Sequence, residues 1–430
     1  MESLPIGKTD DPFDSGRILT IHPDTRRKHM AIFGKSGVGK STLLRNMIAW
    51  DIAHGAGVAV EDPHGSLVDE VLEMIPRHRT NDVIYFNPKD RTRVMGLNIF
   101  DQGDAHDRAL LVSYLISIFK ALWHDSWGPR MEDILRNAAF ALSEQPQPAS
   151  LLAIPRLLND PHYRRQLLRQ VKNPVVQGFF RTYEQGWSKQ FREEGISPVL
   201  NKVNAFTTNP LLRAVIGQAT SAFRFRWLMD TGKILLCDLS KGALGEDVSA
   251  LLGSLITTKL YLAALSRQQI PEGERRPFIL YSDETQNFIH GVQLSTILAE
   301  ARKYGLSVTI ATQVITQLPK ESIDAVFGNC ATVVAFRVGG EDAETLRREF
   351  ATIMPASNLQ DLADYKIFVR TMSAEPGRPG EPRGPITVKT FPAFTRQGTE
   401  NDRARVIESS LRRYTRPRHA VDLKLEKFFA

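Results

Sequence analysis

The sequence predicts an α/β fold: a mostly parallel sheet with helices on both faces, interrupted by an inserted all-helical segment. Three observations carry this. Short β-rich runs, apolar on every residue, alternate with helical patterns in two blocks. The stretch between the blocks keeps helical periodicity but has no comparable strand pattern. The glycine-rich octapeptide Gly34–Ser41 lies between an apolar run and a helical pattern, where a strand-to-helix turn belongs.

In chain order, the first block holds the runs His29–Phe33 (HMAIF), Gly57–Glu61 (GVAVE) and Val83–Phe86 (VIYF). Uninterrupted apolar runs suit strands buried on both faces, as in a parallel sheet. Leu44, Met47 and Ile48 recur at helical spacing until Gly55. Residues 101–230 follow, with Leu111, Leu115, Ile118 and Leu122 on one helical face, and are read as an inserted all-α domain. The second block holds Lys233–Leu239, Phe278–Tyr281, Val308–Ala311, Cys330–Phe336 and Lys366–Arg370. Proline and glycine cluster over Ala374–Pro385, the composition of a loop or linker. A short helix is expected near the C-terminus, with Thr399 and Asp402 as capping residues and Arg412 and Arg413 complementing its dipole. The expected division is 1–100 and 231–395 for the two parts of the α/β core, 101–230 for the insert and 396–430 for a basic C-terminal tail. No internal repeat is visible.

A chain of 430 residues exceeds one ordinary core, in keeping with a core plus a large insertion. Its 42% hydrophobic and 24% charged residues are those of an ordinary globular protein. The two cysteines, Cys237 and Cys330, offer no disulfide framework or metal cluster and fit a reducing cytosol. The polar, acidic start lacks the features of a signal peptide. The apolar run Ala109–Phe119 is shorter than the roughly 20 residues a membrane span needs and is expected to be a core helix. A cytoplasmic protein without direct membrane insertion is expected. The formal net charge is +7, and its basic excess lies in two segments: 16 Lys/Arg against 12 Asp/Glu over residues 101–230, and 9 against 5 over residues 396–430. That placement suits contact with a polyanion, and equally ordinary soluble surface arginines.

Gly34–Ser41 (GKSGVGKS) meets every constrained position of G-x-x-x-x-G-K-[ST]. The pattern describes a loop whose backbone N–H groups close around phosphates, as in P-loop NTPases, and a RecA-like core is the expected form of the fold. Gly34, Ser36, Gly37, Val38, Gly39 and Thr42 form the expected cradle. Lys40 is expected to reach the terminal phosphates, and the Ser41 hydroxyl to ligate Mg²⁺, so ATP and Mg²⁺ are the expected cofactors.

Downstream, the run Phe278–Tyr281 leads through Ser282 into Asp283 and Glu284. Two adjacent acids at a strand end have the form of a Walker B element: Asp283 for the Mg²⁺ shell, Glu284 to polarise the attacking water. Leu294, Ile297, Leu298 and Ala301 then mark a helical face with Arg302 at its border and Gly305 as its stop. The next strand delivers Thr312 and Gln313 to its C-terminal end, where the Gln313 amide is in position to sense phosphate or water. Asp62 and His64 belong at the same sheet edge, as nucleotide neighbours or turn caps.

The succession GKSGVGKST, DPHGSL (Asp62–Leu67), YFNPKD (Tyr85–Asp90) with GLN (Gly96–Asn98), WGPRMEDILRNAAFAL (Trp127–Leu142), LYSDETQNF (Leu280–Phe288) and ARKYGLSVTIATQ (Ala301–Gln313) resembles the ATPase domain of type IV secretion coupling proteins, members of the FtsK/HerA superfamily. The resemblance spans roughly residues 15–395. It implies a ring motor, a hexamer of identical chains, that moves DNA at the expense of ATP. A nucleotide would sit at each subunit interface, and an all-helical domain would be inserted between the two parts of the core. By position, Lys40 and Ser41 match the family's phosphate and metal ligands, Asp283 and Glu284 its acids and Gln313 its strand-end glutamine. Arg302 matches an arginine finger acting on the neighbouring subunit's nucleotide, so that hydrolysis requires a closed interface. Arg130 is a weaker phosphate-facing arginine, with a structural pair to Glu132 or Asp133 as the alternative.

The family usually carries membrane helices ahead of this domain; any membrane association here is expected through a partner at the inner face. The partners so implied are single- or double-stranded DNA and relaxosome or secretion-channel proteins. Tyr183, Trp187 and Phe191, interleaved with Arg181, Lys189 and Arg192, are candidate contacts, or ordinary amphipathic packing. A different class of function, an ATPase that energises protein secretion or channel assembly without binding DNA, would use the same catalytic residues.

Overall fold

A computed structural model describes residues 2–11, 14–101, 105–147, 149–291, 293–350, 357–372, 382–394 and 400–429. Among them the strands are β1 (Leu4–Asp11), β2 (Asp14–Ile21), β3 (Met30–Phe33), β4 (Gly57–Asp62), β5 (Val83–Phe86), β6 (Arg93–Val94), β7 (Ile234–Asp238), β8 (Phe278–Ser282), β9 (Leu306–Thr312), β10 (Thr332–Ala335), β11 (Lys366–Met372), β12 (Pro382–Thr390) and β13 (Arg416–Pro417). Eleven of these form one sheet in the order β2-β1-β12-β11-β10-β3-β9-β8-β4-β7-β5; β6 and β13 form a two-stranded ribbon.

From β10 to β5 every neighbour is parallel. From β10 through β11, β12 and β1 to β2 every neighbour is antiparallel. Each strand read from the apolar runs is present within a residue or two of its expected limits. The antiparallel strands β1, β2 and β12 were not expected. The proline- and glycine-rich linker is a correction in part: Pro382–Pro385 open β12, while 373–381 lie outside the described residues.

Alternation along each parallel strand divides the interior in two. Ala31, Phe33, Ala59, Ile84, Phe86, Leu235 and Leu280 enter one core, and Met30, Ile32, Val58, Val60, Tyr85, Leu236 and Ile279 the other. Helices cover both faces because both carry apolar side chains. The second core is closed mainly by α2 (Lys40–Ala53) and α3 (Ser66–Leu72), which follow the four-residue α1 (Pro23–Arg26).

The first core is closed by the helices of the middle of the chain: α4 (Ala105–Leu122), α5 (Pro129–Ser143), α6 (Ala153–Asn159), α7 (Pro161–Leu168), α8 (Pro174–Arg181), α9 (Lys189–Thr207), α10 (Pro210–Ile216) and α11 (Phe225–Thr231). α12 (Lys241–Leu244), α13 (Glu246–Leu265), α14 (Leu294–Glu300), α15 (Lys320–Asn329), α16 (Gly340–Glu349) and α17 (Ser357–Gln360) complete it. The run Ala109–Phe119 lies in α4 as a core helix. Among the described residues, the helix starting at Glu246 is long and apolar enough to cross a membrane, but 94% of its most apolar window is buried within the protein.

Residues 400–429 form two docked helices, α18 (Glu400–Tyr414) and α19 (Arg418–Phe429), where the sequence suggested one short helix in a basic tail. The Ser410 hydroxyl accepts the Tyr85 N–H at 2.8 Å, satisfying edge strand β5, and Val421 and Leu425 are buried. Several of their arginines are engaged: Arg403 with Asp69, Arg405 with Asp402, and Arg413 with the Asn81 carbonyl at 2.7 Å. Asp402 also meets Arg77 at 3.1 Å, and Thr399 lies outside the described residues.

Candidate nucleotide site

β3 ends at Phe33, and the loop that follows turns sharply into α2 at Lys40. The turn needs glycine at Gly37 (φ 79°) and Gly39 (φ 112°); at Gly39 a Cβ would also lie 2.8 Å from the ring of Tyr365. The first N–H groups of the 14-residue α2 open toward the loop, a ready setting for anions. Lys40 is buried, and its ammonium donates to the carbonyls of Gly34 (2.5 Å) and Lys35 (3.2 Å).

A cavity of about 460 Å³ opens at the C-terminal ends of β3, β8 and β9. Ser36, Gly37, Gly39, Lys40, Ser41, Thr42, Asp283, Glu284 and Gln313, all expected from sequence, line it. Gly34 and Val38 do not: Gly34 packs against Phe336 and offers its carbonyl to Lys40, and Val38 is in the core. A larger cavity of about 680 Å³ lies away from this chemistry, between the middle helices and α19.

The acids leave β8 in an unusual backbone state. Glu284 has φ 47°, rare for a residue with a side chain. Its carboxylate accepts from the Gln286 amide at 2.8 Å and the Gln313 N–H at 3.3 Å, and lies 4.0 Å from the Lys40 ammonium. Burial above all, then the charges of Glu284 and Asp62, raise the Asp283 carboxyl to about 7 against the opposing pull of Lys40. Burial lowers Lys40, and the two acids oppose that shift. The cavity thus concentrates uncompensated acid and one buried cation.

The donor set fits Mg²⁺. A serine hydroxyl and a carboxylate are hard oxygen donors, and among the described residues no group of three or more His, Cys, Asp or Glu forms a cage. Mg²⁺ takes few protein oxygens and completes its shell with phosphate and water.

Asp62 takes the capping role the sequence left open, accepting the N–H of His64 at 2.8 Å and of Val68 at 3.0 Å, while His64 lines the cavity. Arg130 pairs with neither Glu132 nor Asp133. Its guanidinium stacks on Phe191, 4.1 Å from the ring centre, while Glu132 is taken by Arg136 and Trp127. Tyr183, Trp187 and Phe191 form a packed aromatic cluster, with Tyr183 buried.

Arg302 is exposed in the turn before β9 and is not among the cavity's lining residues. Gln313 leaves the other end of that seven-residue strand, so Arg302 stands about 20 Å from its own chain's cavity. It lies near His29, whose Nδ1 accepts the Val308 N–H at 2.9 Å and whose pKa burial, then Arg302, push down to about 4. Sequence reading missed Tyr365, which lines the cavity from the turn before β11. It belongs to no motif; its signal, φ 63° on an aromatic residue, exists only in the folded chain.

The family model for the type IV secretion-system coupling protein DNA-binding domain matches residues 14–353. Among solved structures, the fold is similar to the plasmid coupling protein TrwB in complex with ADP and Mg²⁺ (17% identity, TM-score 0.63, covering 89% of this chain and 90% of that one). A TrwB complex with the ATP analogue ADPNP agrees equally well (18%, 0.63, 88% and 89%). VirB4 of Thermoanaerobacter pseudethanolicus shares the fold at 14% identity and TM-score 0.56, covering 91% and 97%. Curated protein sequences give no match. With more than half its length matched by the family model and a sheet of the same fold, the chain belongs to the type IV secretion-system coupling protein DNA-binding domain family.

Proposed function

We propose that the chain is an ATP-driven DNA-translocating motor, working as a ring of identical subunits in which each site needs its neighbour's arginine. The observation that carries this is the meeting of Lys40, Ser41, Asp283, Glu284 and Gln313 in one cavity at the mouth of α2. ATP would lie along the loop from Gly34 to Thr42, and bound Mg²⁺ would neutralise developing phosphate charge. Ser41 and Asp283 would hold the metal. Glu284, fixed by Gln286 and the Gln313 N–H, would take the proton of the attacking water. Lys40 would stabilise the terminal phosphates, the Gln313 amide would orient the water, and Arg302 would complete the site of the adjacent subunit.

DNA would be gripped mainly through its phosphates, and relaxosome or secretion-channel proteins would bring the ring to the membrane's inner face. The test is ATP turnover with and without single- and double-stranded DNA at rising salt. A motor gives DNA stimulation that falls steeply with salt. Turnover unmoved by DNA, with tight binding to a channel protein, points instead to an assembly or secretion ATPase.

A further inference from the structure

Beyond the phosphate cradle and the acids, the cavity has one aromatic wall on the side away from them. β3, which carries the loop, lies between β9 and β10. Asp283 and Glu284 follow β8, beyond β9; Tyr365 precedes β11, beyond β10. A triphosphate whose terminal end faces the acids must therefore direct its other end toward Tyr365. His64, the other ring in the lining, follows β4 on the acid side.

Tyr365 is held in place by its own backbone. Its N–H donates to the Val38 carbonyl in the phosphate loop at 2.9 Å, and its carbonyl accepts the Thr390 N–H at 2.8 Å. The neighbouring turn is tied to the same loop, since the Lys35 N–H donates to the Arg337 carbonyl at 2.9 Å. The Arg337 guanidinium is itself occupied by Asp364 (2.8 Å) and the Leu362 carbonyl (3.1 Å). A bulky residue at φ 63° costs backbone energy, and here the cost holds a ring against Gly39 while leaving the residue 44% exposed at the cavity. A core residue would be covered, and a turn alone would take glycine or asparagine.

We propose that Tyr365 is the platform on which the base of a bound nucleoside triphosphate stacks. The proposal rests on the nucleotide reading of the cavity and adds how the base is recognised. The contact is with the flat face of the base, and the Arg337 guanidinium is already paired. Adenine and guanine nucleotides therefore bind alike, and pyrimidine nucleotides, with a smaller face, bind more weakly.

The test is equilibrium binding of ADP, GDP, CDP and inorganic tripolyphosphate to the full chain, and to its Tyr365→Phe and Tyr365→Asn variants, with Mg²⁺. Asparagine tolerates the left-handed backbone, so the turn is kept while the ring is lost. The expected result for Tyr365→Asn is ADP and GDP binding weaker by roughly five- to 150-fold, the range of one base–aromatic stack, with tripolyphosphate unchanged and Tyr365→Phe close to wild type. Equal weakening of ADP and tripolyphosphate would make Tyr365 a mere support of the loop and overturn the proposal, as would ADP binding unaffected by the loss of the ring. If the wild type binds neither ADP nor tripolyphosphate, the nucleotide reading itself is wrong; if it binds both equally well, only the base platform is.

Discussion

The two wings of the sheet on either side of β3 are built differently. The parallel wing, β9-β8-β4-β7-β5, is buried on both faces and ends in acids, an amide and a capping aspartate beside the phosphate loop. The antiparallel wing, β11-β12-β1-β2, carries exposed polar residues and brings one aromatic residue to the same cavity. The comparison teaches that the acids and the amide of the cavity sit where the scaffold is most buried, while the other wing lines the opening with Tyr365.

The largest effect should come from the parallel wing. Glu284→Gln keeps the Gln286 and Gln313 contacts within reach of an amide but removes the base, so turnover should fall by about 10²- to 10⁴-fold with ATP binding retained. Single-turnover hydrolysis measured beside binding checks this. A loss of binding equal to the loss of turnover would assign Glu284 to the cradle instead.

The antiparallel wing should fail by packing. At Gly7 in β1 a Cβ would stand 2.3 Å from the Lys389 carbonyl oxygen of β12. Gly7→Val should therefore cost about 1–3 kcal/mol of stability, seen as a lower urea midpoint. An unchanged midpoint would mean that this wing is loosely attached.

A pH series sharpens the contrast. Burial holds Glu61, in β4, up to about 8 against an ordinary value of 4.5, despite hydrogen bonds from Thr257 and Ser282 that favour the charged form. Between those values the folded chain carries a proton that the unfolded chain has lost, so this group's stabilisation fades as pH rises through that window and levels off above it. The slope is about 1.4 kcal/mol per pH unit at most. Glu61→Gln should lose less stability than the wild type between pH 5.5 and 7.5, and equal losses in urea titrations would refute the assignment. The smallest effect belongs to the C-terminal helices: Ser410→Ala leaves the Tyr85 N–H without its acceptor and should cost about 1 kcal/mol, read from the same midpoints.

How far the sequence could be read follows the same division. Runs such as Val83–Phe86 are apolar because both faces of the parallel wing are covered, so they stand out without any partner strand in view. β1 (LPIGKTDD) mixes charge with apolar residues, since its register is fixed by pairing with Lys389 and Thr390 nearly four hundred residues away. That Lys40, Ser41, Asp283 and Glu284 meet in one cavity was legible because the motifs that carry them restrict residue type and spacing. Tyr365 was not, because stacking on a flat ring imposes no local spacing. The docking of residues 400–429 was hidden for a similar reason: it depends on Asp69, Asn81 and Tyr85, far away in the chain.

The central claim is that each catalytic site is completed by Arg302 of a neighbouring copy. It is tested most directly by turnover per chain as a function of protein concentration, for wild type, Arg302→Ala, Lys40→Ala and an equal mixture of the two variants. The account predicts turnover that climbs as the chains assemble, an Arg302→Ala protein that binds ATP but hydrolyses it about 10³-fold more slowly or worse, and partial recovery in the mixture. Constant turnover per chain down to concentrations where only monomers exist, with Arg302→Ala as active as the wild type, would contradict it.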